Sequence, residues 1–156
     1  MTVLSIAFSL VLTLHLAAQT HTPTEDFSIA LERTSCLGSC PDYTVTIYGD
    51  GSVRYEGRAY VQIRGLRTRT IPVSAVRKLV EKLSKEGFSQ WKEEKMVCID
   101  FPEVNITASM NGQQKHVLEG CNTPGQVLRL ADEIDKLSGA KVWVGTCKPG
   151  SNCWPD

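Results

Sequence analysis

The chain has 156 residues, 42% hydrophobic and 22% charged, which suits one folded domain and excludes a disordered chain. Lys and Arg together number 17, as do Asp and Glu, so the formal net charge is zero. That balance excludes a general binder of nucleic acid or anionic membrane, which carries a surplus of Lys and Arg. The unusual count is six cysteines in so short a chain.

Residues 1–18 hold no Asp, Glu, Lys or Arg, and the first charge is Glu25. Val3 to Leu16 is apolar apart from Ser5, Ser9, Thr13 and His15, and it closes on Leu16-Ala17-Ala18. The run is shorter than the roughly 20 apolar residues of a membrane span. Its small-residue exit is that of a secretory signal. The expectation is a signal peptide over 1–18, cleaved before Gln19, whose only positive charge is the α-amino group. The mature protein is then secreted or periplasmic, with no membrane span. Residues 19–26 follow as a polar leader.

Phe27 to Leu31 alternates apolar and small residues, the pattern of a first strand. Ser35 to Pro41 is a loop containing Cys36, Gly38 and Cys40. The runs YTVTIY and SVRYEG then flank Gly49-Asp50-Gly51 as a hairpin. A two-residue turn would set Val45 opposite Glu56. A three-residue loop with Gly51 left-handed pairs Val45 with Tyr55, Ile47 with Val53, Thr44 with Glu56 and Thr46 with Arg54. Only this second register keeps one face apolar, so it is the one expected. Tyr60 to Ile71 reads as a further strand or bent pair, interrupted at Gly65.

Ser74 is the expected cap of a helix over Ala75–Glu86, with Val76, Leu79, Val80 and Leu83 as its buried stripe. Gly87 and Phe88 supply a left-handed stop with an apolar fold-back. Gln90 to Pro102 is irregular and charged. Val104 to Glu119 predicts a second hairpin around Asn111-Gly112, with neither register giving a clean apolar face. Thr123-Pro124-Gly125-Gln126 reads as a capping box opening a helix through Val127, Leu130, Ala131, Ile134 and Leu137 to Gly139. Lys141 to Val144 suits a last strand, and residues 145–156 form a Cys-, Pro- and Gly-rich tail. The resulting fold class is α+β: a single domain over 27–144, with an antiparallel sheet built from hairpins and two helices packed on one face.

The block C-L-G-S-C-P-D-Y, followed by I-Y-G-D-G-S-V-R-Y-E-G, resembles a bacterial family of domains of unknown function, numbered 6438. The matching positions are Cys36, Gly38, Cys40, Pro41, Tyr43, Asp50, Gly51, Val53, Tyr55 and Gly57. The resemblance runs on loosely through Gly87-Phe88, Cys98 and Cys121 to Trp143-Val144. It implies a secreted or envelope-associated small domain and brings no activity with it.

Cys36, Cys40, Cys98, Cys121, Cys147 and Cys153 are even in number and follow an export signal, which favours disulfides over thiols. The preferred pairing is 36–40, 98–121 and 147–153 among the 15 that six cysteines allow. Cys98 and Cys121 flank the second hairpin, which brings them into one neighbourhood. Zinc is not expected, because Cys36-x3-Cys40 lacks the usual spacing and only His21 and His116 remain after cleavage. Arg54, Arg58, Arg64, Arg67 and Arg69 stand against Glu56 alone, a local basic excess in a neutral protein. The favoured reading is a charged edge that blocks strand-to-strand aggregation. The sharper one is a surface for an anionic envelope polymer or an acidic protein patch.

No nucleophile elbow, His-Glu-x-x-His or phosphate-binding loop is present, so no catalytic residue and no cofactor is assigned. His116 is expected to be a partly exposed structural residue, and Asp100 and Glu103 to lie in a solvated loop. The leading function is therefore a small exported binding or structural module. The alternative is an enzyme or a thiol–disulfide redox protein using Cys36 and Cys40, although Pro41 and a strand follow them where a redox pair needs a helix N-terminus.

Overall fold

Period-two alternation of apolar side chains builds the sheet, and helical stripes of the same character cover one of its faces. The computed structural model describes residues 26–93, 98–121 and 124–145. Its strands are β1 (Ser28–Arg33), β2 (Asp42–Tyr48), β3 (Ser52–Ala59), β4 (Gly65–Thr70), β5 (Val104–Met110) and β6 (Gln113–Glu119). All pair antiparallel in one sheet of order β4-β3-β2-β1-β5-β6. The helices are α1 (Val73–Lys85), α2 (Gly125–Ser138) and the short α3 (Lys141–Val144), with a 3-10 turn at Phe88–Gln90. This is the α+β, single-domain architecture expected from the sequence.

Ile29, Leu31, Val45, Ile47, Val53, Tyr55, Ile106 and Val117 point from the strands into the core. Val76, Leu79, Val80 and Leu83 of α1, with Val127, Leu130, Ala131 and Ile134 of α2, meet them there. Lys82 of α1 pairs with Glu133 of α2, tying the helices together at the surface. The opposite face carries Ala30, Glu32, Thr44, Thr46, Arg54, Glu56 and Thr107, all half-buried or exposed.

The β2–β3 hairpin has the bulged three-residue register chosen by its apolar face: Val45 pairs with Tyr55, Ile47 with Val53, Thr44 with Glu56 and Thr46 with Arg54. Gly51 has φ 86°, and a Cβ there would fall on the Ile71 carbonyl oxygen. Asp50 Oδ1 accepts the Ser52 backbone N–H at 2.8 Å, and hydrogen bonding from the Ser52 side chain first, then from that N–H, holds its carboxyl below the ordinary value. The β5–β6 hairpin resolves its ambiguous register through its turn. Asn111 and Gly112 both adopt positive φ, 52° and 72°, as a two-residue type I′ turn requires, and set Met110 opposite Gln113.

Three local expectations are corrected. Lys141–Val144 is a short helix rather than a last strand, with the Trp143 ring 5.1 Å from that of Tyr55. The carbonyls of Trp143 and Val144 accept the backbone N–H groups of Ile63 and Gln62, so the segment satisfies its chain end against the β3–β4 loop without joining the sheet. Ser74 is not the cap of α1. The helix starts two residues earlier, at Val73 with Pro72 at the N-cap, and no side chain bonds to its first N–H groups. Only Gly65–Thr70 of the Tyr60–Ile71 stretch is strand. The signal peptide, the leader up to Glu25, Thr123, Cys147 and Cys153 lie outside the described residues.

Candidate functional site

One end of the sheet gathers the chemistry. Arg33 continues the inward phase of β1 after Ile29 and Leu31, and Asp135 lies on the buried side of α2 between Ala131 and Ser138. Tyr43 begins the inward series of β2. The three converge, with Asp135 4% and Tyr43 2% exposed. The Tyr43 hydroxyl donates to Asp135 Oδ1 at 2.7 Å. Arg33 donates to Asp135 Oδ2 through Nε at 3.1 Å and Nη2 at 2.9 Å, and Nη2 also reaches Asp132 Oδ1 at 3.2 Å. Burial, and then the Asp135 charge, push the Tyr43 phenol far above its ordinary pKa. Burial opposes the Arg33 charge, but the neighbouring Tyr43 oxygen and Asp135 carboxylate outweigh it, so its pKa rises.

Arg33 and Pro41 form a wall between two open clefts. One, of about 610 Å³, is lined mainly by Phe101, Pro102, Val104, Leu128 and the disulfide residues Cys40 and Cys121. The other, of about 630 Å³, has the polar side chains of Tyr43, Asp132, Asp135, Gln62 and Lys141 around it. The Cys36–Cys40 bridge closes the β1–β2 loop, and the Cys98–Cys121 bridge joins the segments before β5 and after β6. The Leu37 N–H donates to the Asp100 carbonyl at 3.3 Å, so the two bridged loops adjoin. Thr34 and Glu103 add two further backbone-mediated bonds between them. Cys40 leads through Pro41 into β2, so neither sulfur of that bridge sits at a helix N-terminus.

The five arginines of the 54–69 stretch do not share a face. Arg54 stands on the helix-free face, 3.6 Å from Glu56. Arg58, at the β2–β3 bulge, bonds Asp42, Thr44 and Glu32 on that same face, and Asn105 donates to the other Glu32 oxygen. Arg64 is exposed in the β3–β4 loop. Arg67 and Arg69 pair in register with the inward residues Tyr55 and Val53 at the sheet edge, and Arg69 lies against Gly139 at the C-terminus of α2. His116 is exposed, with its Nδ1 3.1 Å from Glu93. Asp100 and Glu103 meet the β1–β2 loop only through backbone groups.

Of the three, Tyr43 stands in the Cys-Gly-Pro motif block, whereas Arg33 and Asp135 lie outside every motif named from the sequence. A charge in the inward phase of a strand and an opposite charge in the buried stripe of a helix were the available signals. Gly57 of the quoted block is explained by close approach: a Cβ there would strike the Ile63 carbonyl oxygen and the Tyr55 hydroxyl. A comparison with curated proteins finds no match. The family model described as domain of unknown function DUF6438 matches residues 27–138, from the entrance of β1 to the last residue of α2. That span holds Arg33, Tyr43 and Asp135 together with both bridges, and the chain belongs to the DUF6438 family.

Proposed function

We propose that the protein is an exported binding module that recognises a protein partner at the disulfide-braced end of its sheet. One observation carries the reading. Leu37, Ile99, Phe101 and Leu128 are 80%, 82%, 57% and 41% exposed, and they stand on the two linked loops and the adjoining cleft wall. Clustered exposed apolar side chains mark interaction sites in folded proteins. Here they are held by crosslinks and by the Arg33–Asp135 anchor, so the surface is ordered before a partner arrives, which lowers the entropy cost of binding. Export is supported by the uncharged N-terminal run and by disulfides, which persist in oxidising compartments.

The test places a photo-crosslinking side chain at Phe101, at Leu37 and, as control, at Arg77 on α1, in the organism that makes the protein. A discrete adduct from the first two positions and none from Arg77 is expected. Equal labelling at all three, or none at any, overturns the reading. Mass spectrometry of the exported protein should find Gln19 at the N-terminus, and an intact Met1 form confined to the cytoplasm overturns export.

A further inference from the structure

We infer that β4 is a docking edge for an extended acidic segment of a partner protein, added to the sheet as a seventh strand. The strand order leaves β4 at the edge, and all six of its residues are exposed. Its pairing shows which main-chain groups face away from the sheet. The Ile71 N–H donates to the Gly51 carbonyl, and hydrogen-bonded pairs alternate along an antiparallel ladder. The N–H and C=O groups of Val53–Arg69, Tyr55–Arg67 and Gly57–Gly65 are therefore turned toward each other. Those of Leu66, Thr68 and Thr70 point away from β3. Consistent with this, the Leu66 carbonyl accepts a bond from the guanidinium of its neighbour Arg67 at 2.7 Å.

Charge selects the occupant. Arg64, Arg67 and Arg69 are exposed and form no ion pair with any described residue, and β4 carries no acidic side chain. A second copy is disfavoured, because antiparallel self-pairing centred on Thr68 sets Arg67 opposite Arg69 of the copy, and like charges directly opposite destabilise a sheet. The same two arginines attract a strand with acidic residues at alternate positions. Arg67 and Arg69 share one face of the edge while Leu66, Thr68 and Thr70 share the other. The fitting segment therefore reads acid-x-acid, with uncharged residues between. Blocking aggregation and admitting a partner are thus one property of this edge. The edge lies three strands from β1, apart from the cleft surface, so this inference stands or falls independently of the proposed function.

The experiment uses the full oxidised protein and three synthetic six-residue probes: Thr-Glu-Val-Glu-Val-Thr, its Lys counterpart, and the Glu peptide N-methylated at alternate residues. The Glu peptide should bind with an affinity that falls as salt rises, and its amide shifts should map to Leu66–Thr70. Arg67→Glu with Arg69→Glu should weaken binding about tenfold, whereas Arg54→Glu on the opposite face should leave it nearly unchanged. Thr68→Pro removes only an outward N–H and should abolish binding while the melting temperature holds. Equal binding of the Lys peptide, equal binding of the N-methylated peptide, or retention of binding by Thr68→Pro overturns the inference.

Discussion

Two arginines near the same end of the sheet, on opposite faces, solve the same problem in different surroundings. Arg33 faces α2, its side chain 22% exposed, and meets an Asp135 carboxylate that is 6% exposed. Arg58 faces solvent at 37% and meets Glu32 at 41%. Arg33 gains a fully enclosed partner with a tyrosine hydroxyl completing it, whereas Arg58 spreads its bonds over Asp42, Thr44 and Glu32. The buried network is an anchor that fixes α2 against β1 and β2, because losing either charge would strand the other away from water. The open network is screened by solvent and its parts are replaceable. Bond counts are similar; burial decides the consequence.

Removing Asp135 should show this contrast most strongly. Asp135→Ala leaves Arg33 half-enclosed without its buried counter-ion and should cost about 3–5 kcal/mol in denaturant unfolding. A loss below that of Arg58→Ala would break the comparison. Next in size, Cys98→Ser with Cys121→Ser opens a loop of 23 positions and should cost roughly 3 kcal/mol. Cys36→Ser with Cys40→Ser opens a separation of only 4 and should cost clearly less. Equal losses in thermal melts of the oxidised variants would show that the braced end does not depend on the longer bridge.

Tyr43→Phe deletes one of the bonds to Asp135 and should cost about 1–3 kcal/mol. It should also reduce the protein's sensitivity to alkali. The phenol of Tyr55 is pushed up by burial to about 12 from its ordinary 10.0. Tyr43 moves in the same direction for the same leading cause. The folded state therefore holds these protons more tightly than the unfolded chain. The associated stability is intact below the unfolded pKa and declines as pH climbs toward the folded values. Chemical unfolding at stepped pH should show this decline, shallower in Tyr43→Phe. Smallest of all, Arg58→Ala should cost at most about 1 kcal/mol, and added salt should shrink the difference.

The legible parts of the chain are those where one constraint outweighed the rest. The β2–β3 register followed from the need for a single apolar face, which only one loop length satisfies. In β5–β6 that constraint failed, because Gln113, Lys115 and the buried Glu119 all sit in the inward phase of β6. There the Asn111-Gly112 backbone decides. Lys141–Val144 misleads because Val and Trp favour strands locally, while the real determinants are the Tyr55 ring and two loop amides more than 75 positions away in the chain. The Arg33–Asp135 pair is separated by 102 positions, so each residue reads singly as an error in an apolar pattern. Only the fold turns two such errors into one anchor.

The strand order carries a consequence for the timing of folding. β1 lies inside the sheet, yet its second neighbour β5 follows it only after β2, β3, β4 and α1. A chain growing from its N-terminus can complete the four-stranded meander while the far side of β1 still lacks a mate. During that interval Ser28–Arg33 presents an unsatisfied ladder, the kind of transient edge through which nascent chains associate wrongly. Closing it requires a contact of high sequence separation, which is slow to form. The bridge between Cys98 and Cys121 ties together the two ends of the late-arriving hairpin, so once formed it holds β5 and β6 as one paired unit, while the stretch of chain from β1 to β5 keeps its full length.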